Sequence, residues 1–272
     1  MNETYIKTLD DYSHFCSKHK DFVYRGFDNI DYYGAKPSII FKDKTNAFLG
    51  IQTEMEQMQT LLKFKTDLFD SFTVIEIARH YDFPCRITDF TSDPLVALYF
   101  ACKKGDTDAA IICTDKTKYM EQYKKRDNQV SDFSNEELFY MLANNLENDF
   151  IGGNLPFRNN KYYSFKEPIF ITPEVEDTKM GAQQSVFLLW CDLVDEDTYD
   201  ELIKKYSDKI IIKKEFKGQL MEELQKMGYT KETIENVDTS LFESQEQLQK
   251  FKDTIEDLKL QFFGLNINNN KY

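Results

Sequence analysis

The chain has 272 residues, of which 41% are hydrophobic and 15% aromatic. This composition is enough to bury a sizeable core and excludes a largely disordered protein. A net charge of −13 opposes the attraction to phosphate that drives non-specific nucleic-acid binding, so we expect none. The apolar runs are shorter than a membrane helix, and the N-terminus does not resemble a signal peptide, so we expect a cytoplasmic protein without membrane contact. The five cysteines are scattered along the chain, so we expect no bound metal.

The first half of the chain is predicted to alternate helices with short strands. Apolar spacing predicts a helix from Thr8 to near residue 20, and capping-box spacing starts another at Thr73. Asp93 and Pro94 are residue types of a helix cap and first turn, so a buried helix should follow. The other predicted elements are strands at 21–26, 86–90 and 109–113 and a long helix from residue 46.

The second half is predicted to contain elements separated by polar segments. A charged connection leads to a helix starting at Ser134, and a surface loop covers residues 144–161. The last helix begins at Ser244, and its apolar stripe should pack on the domain, with a partner protein's helix as the alternative. The stripe consists of Leu248, Phe251, Ile255, Leu258 and Phe262. The other predicted elements are strands at 168–172, 185–191 and 209–213 and a helix from about residue 216 to 228.

An arginine, Arg25, follows the apolar residues of the first predicted strand and precedes Gly26. The glycine lets the backbone turn or approach a ligand closely. A guanidinium at this place can bind a phosphate or a carboxylate through two hydrogen bonds. The alternative is that Arg25 pairs with a carboxylate of the fold itself.

Residues 78–91 place histidine, arginine, aspartate and threonine around a turn and a strand end, among apolar neighbours. Polar groups in such surroundings must bond to one another or to a ligand. His80 is a candidate general acid or base, because the unperturbed pKa of histidine lies near neutrality. The alternative is that His80 interacts only with the terminal carbonyls of its helix.

Three segments together resemble the FRG domain family, which is named for its Phe/Tyr-Arg-Gly tripeptide. They are YRG at 24–26, ARHYDFPCRITDFTSDPLVALYFA at 78–101 and AQQSVF at 182–187. The resemblance runs in order from about residue 22 to about residue 251. Phe90 stands where the family usually has tryptophan, Asp82 and Ser185 stand where it has glycine, and Lys179 stands where it has arginine.

The resemblance implies an α+β fold with a mixed, mostly antiparallel sheet core, flanking helices and a C-terminal helix, similar to the ADP-ribosyltransferase fold. It divides the chain into an N-terminal helix in residues 1–20, an FRG-like domain in 21–252, and residues 253–272. The last part holds the end of the C-terminal helix and a disordered Asn-rich tail.

The resemblance also implies a nucleotide site with NAD as the substrate. Arg25 would hold the phosphate or ribose, Thr91 would lie near the nicotinamide, and Gln183 would replace the usual glutamate. Because glutamine is neutral, a carboxylate such as Asp89 would have to stabilise a cationic transition state. The residues expected to act in catalysis are Arg25, His80, Asp89 and Gln183, and those expected to bind the nucleotide are Tyr24, Arg25, Arg86, Thr91 and Tyr99.

Such an activity would suit a prokaryotic toxin or an anti-phage defence effector. Two alternatives remain open. The domain could bind a nucleotide or a partner without turnover. Alternatively, the motif is architecture, in which Arg25 and Arg86 pair with Asp89 and Asp93 and nothing binds.

Overall fold

The computed structural model describes residues 1–32, 54, 56–64, 71–126, 168–173, 179–190, 201, 204–235, 242 and 244–269. For residues 71–72, 80, 122–126 and 262–269 it describes the backbone alone. Of the helix predicted from residue 46, residues 56–61 are helical. The predicted helix at Ser134 and the predicted loop at 144–161 lie outside the described residues.

One sheet of seven strands forms the centre of the described residues, in the order β1-β7-β4-β2-β3-β6-β5. The short strand β1 pairs parallel with β7, and every other neighbouring pair is antiparallel. The strands are β1 Glu3–Ile6, β2 Phe22–Phe27, β3 Ile87–Thr91, β4 Ala109–Asp115, β5 Ile169–Ile171, β6 Ser185–Leu189 and β7 Ser207–Ile212. The fold is therefore α+β with a mixed, mostly antiparallel sheet, as predicted.

Helices flank this sheet and connect its strands. Among the described residues they are α1 Leu9–Ser17, α2 Ser71–His80, α3 Pro94–Cys102, α4 Lys116–Arg126, α5 Lys179–Ala182, α6 Lys214–Lys226, α7 Lys231–Ile234 and α8 Gln245–Asn269. Two 3₁₀ turns lie at Ile30–Tyr32 and Leu62–Phe64. No helix in these described segments has both the length and the apolar character that crossing a bilayer requires.

Several helix starts follow the residues that the sequence indicated. The Thr8 hydroxyl accepts a hydrogen bond from the Asp11 amide in a capping box, and Asp93 caps α3 through the Leu95 amide at 2.8 Å. The capping box predicted at Thr73 is wrong, because α2 already begins at Ser71 and Thr73 lies buried inside it.

Two elements had no clear signal in the sequence. Strand β1 is too short and too polar to show alternation, and it is ordered by pairing along β7. Helix α4 replaces the predicted charged connection. It has little apolar surface, and Tyr119 anchors it by burying its ring and donating to the Pro168 carbonyl at 2.7 Å. Among the side chains of this helix that the structure describes, Tyr119 is buried and Met120 partly buried, and two adjacent residues give no helical periodicity to detect.

The two faces of the sheet carry separate hydrophobic clusters. Neighbouring strand residues alternate between them, as Val23 and Tyr24 show, because side chains along a strand point to opposite faces. Helices α3 and α6 pack on the Tyr24 face, and α2 and α8 pack on the Val23 face. On α8, Leu248, Phe251, Ile255 and Leu258 are buried, which confirms that these four residues of the stripe pack on the domain. The side chain of Phe262, the fifth residue, lies outside the described residues.

Strand β2 and helix α3 approach each other unusually closely at Gly26. A Cβ atom at this position would lie 1.9 Å from the Ala97 carbonyl oxygen and 2.9 Å from the Ala101 amide. Both atoms belong to backbone and cannot move aside independently. The glycine of the Tyr-Arg-Gly tripeptide therefore allows helix α3 to pack directly against β2, and this packing explains the glycine without a ligand.

Candidate functional site

The sheet opens between β2 and β3. Strand β2 pairs with β4 from Phe22 to Phe27, and β3 pairs with β6 along its whole length, but β2 and β3 pair only at Tyr24 and Thr91. Beyond that pair the two strands diverge. The Arg25 side chain crosses the opening, and its Nη1 donates to the backbone carbonyl of Asp89 at 2.5 Å. A side chain thus occupies a position where a ladder hydrogen bond would otherwise form.

A hollow of about 320 Å³ lies at this opening. This volume is near the small end of the range of ~300–1,000 Å³ typical of small-molecule sites. Its wall is formed by residues of β2, β3, α2, α3 and the segments around α5 and α7. The lining residues are Tyr24, Arg25, Gly26, Arg79, Asp82, Asp89, Phe90, Thr91, Val96, Ala97, Phe100, Lys103, Lys179, Gln183 and Glu235.

One wall of the hollow carries two arginines around one carboxylate. Nη2 of Arg79 lies 2.6 Å from Oδ2 of Asp89, and Nη1 of Arg25 lies 3.6 Å from the same oxygen. Burial lowers the pKa of Arg25, against the opposing effect of Asp89. For Arg79, burial is the largest effect and acts in the lowering direction, but the charge and hydrogen bond of Asp89, together with Cys85 and Asp82, raise the pKa overall. Both guanidinium groups stay charged, because an arginine pKa lies far above neutrality.

Arg86 lies elsewhere, in a sealed ion pair with Glu54. Its Nε donates to Glu54 Oε2 at 2.8 Å, and its backbone amide donates to Oε1 at 2.8 Å. The two side chains are 2% and 0% exposed. Arg86 is not among the residues that line the hollow. Of the two expected architectural pairs, Arg25 does contact Asp89, whereas Arg86 takes Glu54 as its partner and Asp93 caps α3.

Thr91 and Gln183 meet where β3 ends and β6 is about to begin. The Thr91 hydroxyl donates to the Gln183 carbonyl at 2.6 Å and accepts from the Asp93 amide at 3.0 Å. The Gln183 side chain lines the hollow and donates through Nε2 to the Ile234 carbonyl at 3.0 Å. The next residue, Gln184, is exposed at a φ of 43° in the turn before β6. Gln183, and not Gln184, therefore faces the hollow.

The second charged group on the wall is Glu235, the residue after helix α7. Its Oε1 accepts from the Tyr99 hydroxyl at 2.7 Å, and its Oε2 accepts from Lys103 Nζ at 2.6 Å. Burial raises the pKa of Glu235, but the hydrogen bonds from Lys103 and Tyr99 outweigh it and hold that pKa below its usual value. The carboxylate is therefore ionised at neutral pH. Burial lowers the pKa of nearby Lys179.

The remaining wall is apolar. Val96, Ala97 and Phe100 of α3 line it together with Phe90 of β3. Tyr24 presents its ring but not a free hydroxyl, since that hydroxyl donates to the His19 carbonyl at 3.1 Å. The hollow thus combines an arginine wall around Asp89, a carboxylate wall at Glu235 and an apolar surface.

The predicted site residues fall into three groups. Five of them line the hollow, namely Tyr24, Arg25, Asp89, Thr91 and Gln183. Two do not line it: Arg86 is sealed against Glu54, and Tyr99 reaches the site only through Glu235. The eighth, His80, is the last residue of α2, and its side chain lies outside the described residues.

Five charged lining residues were not predicted as site residues. Arg79 and Asp82 lie in the motif segment itself, and Asp82 has a φ of 63°, a conformation that explains the family's usual glycine there. Lys179 stands where the family usually has an arginine. Lys103 follows a buried helix, and Glu235 follows a four-residue helix. Neither of these last two positions has a spacing or motif that sequence reasoning could have used.

The hollow has the opposite charge balance to the whole chain. Its lining has four cationic side chains and three carboxylates, giving a net charge of +1, whereas the chain has a net charge of −13. Cationic groups concentrated in a recess favour anionic ligands locally even on an acidic protein. Among the described residues, no three histidine, cysteine, aspartate or glutamate side chains cluster as metal ligands would.

Comparison with known proteins identifies one part of the chain. Residues 20–110 match the model of the FRG domain family. No curated protein and no solved structure matches the chain. The matched segment contains strands β2 and β3, helices α2 and α3, and both arginines that contact Asp89. Residues 20–110 are therefore similar to the FRG domain, and this segment supplies the arginine wall of the hollow.

Proposed function

We propose that the hollow binds an anionic nucleotide of the NAD type and that the protein cleaves the bond between nicotinamide and ribose. The ADP-ribose would pass to an acceptor or to water. The observation that supports this is the convergence of Arg25, Arg79, Lys103 and Lys179 on one recess of a strongly acidic chain. The similarity of the motif order to ADP-ribosyltransferases supplies the reaction class.

The arginine wall suits the phosphate groups of such a ligand. Each guanidinium has five donors, and Arg25 and Arg79 each direct one terminal nitrogen at Asp89. Both Nε atoms are buried, and the other donors on the terminal nitrogens can form charge-assisted hydrogen bonds to phosphate oxygens. The apolar surface of Val96 and Phe100 lies in the same recess and suits a base or a nicotinamide ring.

Cleavage would develop positive charge on the ribose carbon as the nicotinamide leaves with the bonding electrons as a neutral molecule. Water or an acceptor group then forms the new bond to that carbon and releases a proton. A carboxylate near this carbon stabilises the developing charge. Asp89 and Glu235 are the two carboxylates that combine a place in the lining with hydrogen bonds to cationic or hydroxyl groups.

A direct experiment tests the proposal. Purified protein is incubated with NAD and a panel of other nucleotides, and both thermal stabilisation and products are followed by chromatography. We expect NAD to stabilise the protein and nicotinamide to be released, with both effects lost in R25A. An unchanged NAD peak and an unchanged melting temperature would overturn both parts of the proposal.

A second function is favoured by the contacts that Asp89 and Gln183 make with other residues of the protein. Asp89 shares its charge with two arginines, and Gln183 is neutral with its amide nitrogen tied to the backbone of Ile234. Neither arrangement supplies a general base. The domain would then bind a nucleotide without turnover, as a sensing module. Stabilisation by NAD without any released nicotinamide would select this function.

The setting we propose is a prokaryotic toxin or an anti-phage defence effector acting in the cytoplasm. Depletion of NAD would stop the growth of the cell that contains the active protein. Inducible expression of the wild-type chain beside R25A in bacteria tests this: we expect falling NAD and arrested growth with the wild type alone. Equal growth and equal NAD levels would contradict it.

A further inference from the structure

Glu235 and its two partners form a hydrogen-bonded unit in the lining of the hollow, and none of the described contacts joins it to Arg25 or Arg79. The carboxylate is 16% exposed, while Tyr99 is 4% exposed and Lys103 extends from the end of α3. Tyr99 and Lys103 contact different oxygens of the carboxylate at 2.7 and 2.6 Å. The rotamer of Glu235 is therefore fixed from two sides before any ligand enters.

The carboxylate keeps hydrogen-bonding capacity after these contacts. An ionised carboxylate has about four acceptor sites, two on each oxygen. The described contacts use one site on Oε1 and one on Oε2. One further donor can therefore bond to each oxygen, and two neighbouring hydroxyl groups of one molecule satisfy that requirement together.

The acceptors on this wall restrict which part of a nucleotide can bind to Glu235. Lys103 and Lys179 offset the charge of Glu235, but an ionised phosphate has no donor to offer its carboxylate and suits the donors of Arg25 and Arg79 better. Gln183 lies beside Glu235, because its amide bonds to the carbonyl of the preceding residue, Ile234. A carboxylate and a carboxamide side by side suit a neutral group rich in hydroxyls, which in a nucleotide is the ribose.

We propose that Glu235, held by Tyr99 and Lys103, binds the 2′- and 3′-hydroxyls of the nucleotide's ribose and makes the site selective for ribonucleotides. This inference rests on the proposed binding of a nucleotide in the hollow. It orients the ligand, with phosphate at Arg25 and Arg79 and the sugar at Glu235. Tyr99 and Lys103 act as positioning residues, since they contact the carboxylate and not the sugar.

The test compares ribonucleotides with analogues lacking both hydroxyls. AMP and nicotinamide mononucleotide, each beside its 2′,3′-dideoxy counterpart, are titrated by calorimetry into wild-type protein, E235Q, Y99F and a control, D108N. Asp108 is a suitable control because it is also held by two donors, Lys213 Nζ at 2.8 Å and the Lys214 amide at 3.0 Å, but does not line the hollow.

We expect the wild type and D108N to bind at least one ribonucleotide about tenfold or more tightly than its dideoxy form, because hydrogen bonds to a charged acceptor are the strong ones. E235Q should lose this preference while keeping the affinity for the dideoxy form. Y99F, which removes only one hydroxyl, should fold and should weaken the preference partly.

Three results would overturn the inference. Equal wild-type affinity for ribo and dideoxy forms would refute ribose selectivity and leave nucleotide binding intact. An E235Q protein that loses affinity for both forms equally would show that Glu235 only fastens α7 to α3. No binding of any nucleotide by the wild type would refute the proposed function and, with it, this inference.

Discussion

Two arginine–carboxylate clusters lie within a short distance of each other along the chain and differ sharply in burial. Arg86, just before β3, and Glu54 are 2% and 0% exposed and bond through two hydrogen bonds. Asp89, within β3, is 36% exposed and shared by Arg25 at 22% and Arg79 at 11%. The first cluster is sealed in the fold, and the second lines a hollow.

The difference shows that residue type alone does not separate a structural ion pair from a ligand site. Both clusters draw on the same motif segment, 78–91, and both use the same chemistry. A sealed pair cannot exchange its partner for a ligand, because the buried charge would then lose the attraction that offsets the cost of its desolvation. A pair at the edge of a hollow can, because water or a ligand can replace the partner.

The largest effect should come from breaking the sealed pair. E54A leaves the Arg86 guanidinium buried without its carboxylate, so we expect the free energy of unfolding to fall by ~3–5 kcal/mol. Urea denaturation followed by circular dichroism measures this change. A loss below ~1 kcal/mol would show that the two clusters do not differ in their contribution to the free energy of unfolding.

Gly26 should be almost as sensitive, because its neighbour is backbone. In G26A the new methyl group would lie 1.9 Å from the Ala97 carbonyl, which forces β2 and α3 apart. Overpacking of this kind costs ~1–3 kcal/mol or more, and we expect a loss near the upper end. The same denaturation measurement tests it, with G218A as control, since a Cβ at Gly218 meets nothing within 4 Å.

Removing Arg25 should have a smaller effect on stability. R25A loses the hydrogen bond to the Asp89 carbonyl, but Asp89 keeps Arg79 and faces the hollow. We expect a loss of ~1–2 kcal/mol, which lowers the melting temperature by only a few degrees. Differential scanning calorimetry of R25A beside E54A compares the two directly. A larger loss in R25A than in E54A would reverse the contrast between the clusters.

The smallest effect should be the acid dependence contributed by Glu235. Because its pKa is lower in the folded protein, protons bind the unfolded state more readily, and the stabilisation is fully present above the unfolded pKa of about 4.3. It is lost as the pH falls through the lowered folded pKa. The stability difference between wild type and E235Q, which we expect to be below ~1 kcal/mol, should be constant from pH 5 to 7 and shrink at lower pH. A difference that instead grows on acidification would have the wrong sign.

The sequence predicted the parts of the site that depend on local pattern. Asp93 and Pro94 fix the start of α3, and the family resemblance implied one site for Arg25, Asp89, Thr91 and Gln183, which all line the hollow. Cap residues and strand ends are set by neighbours in the chain, so a reading of the sequence can find them.

The sequence could not predict the contacts made between distant segments. Glu54 lies 32 positions before Arg86, and Glu235 lies 136 positions after Tyr99. Nothing in the residues around Glu54 marks it as the partner that removes Arg86 from the site. Glu235 follows a short helix without a motif, and only the packing of α7 against the hollow places it there.

The most direct test of the account is the affinity of NAD for wild-type protein and for R25A, measured by isothermal titration calorimetry on samples shown to be folded. We expect a measurable dissociation constant for the wild type and an affinity about 10–100-fold weaker for R25A, because R25A loses charge-assisted hydrogen bonds to phosphate. Equal affinities in the two proteins, or no binding by the wild type, would contradict it.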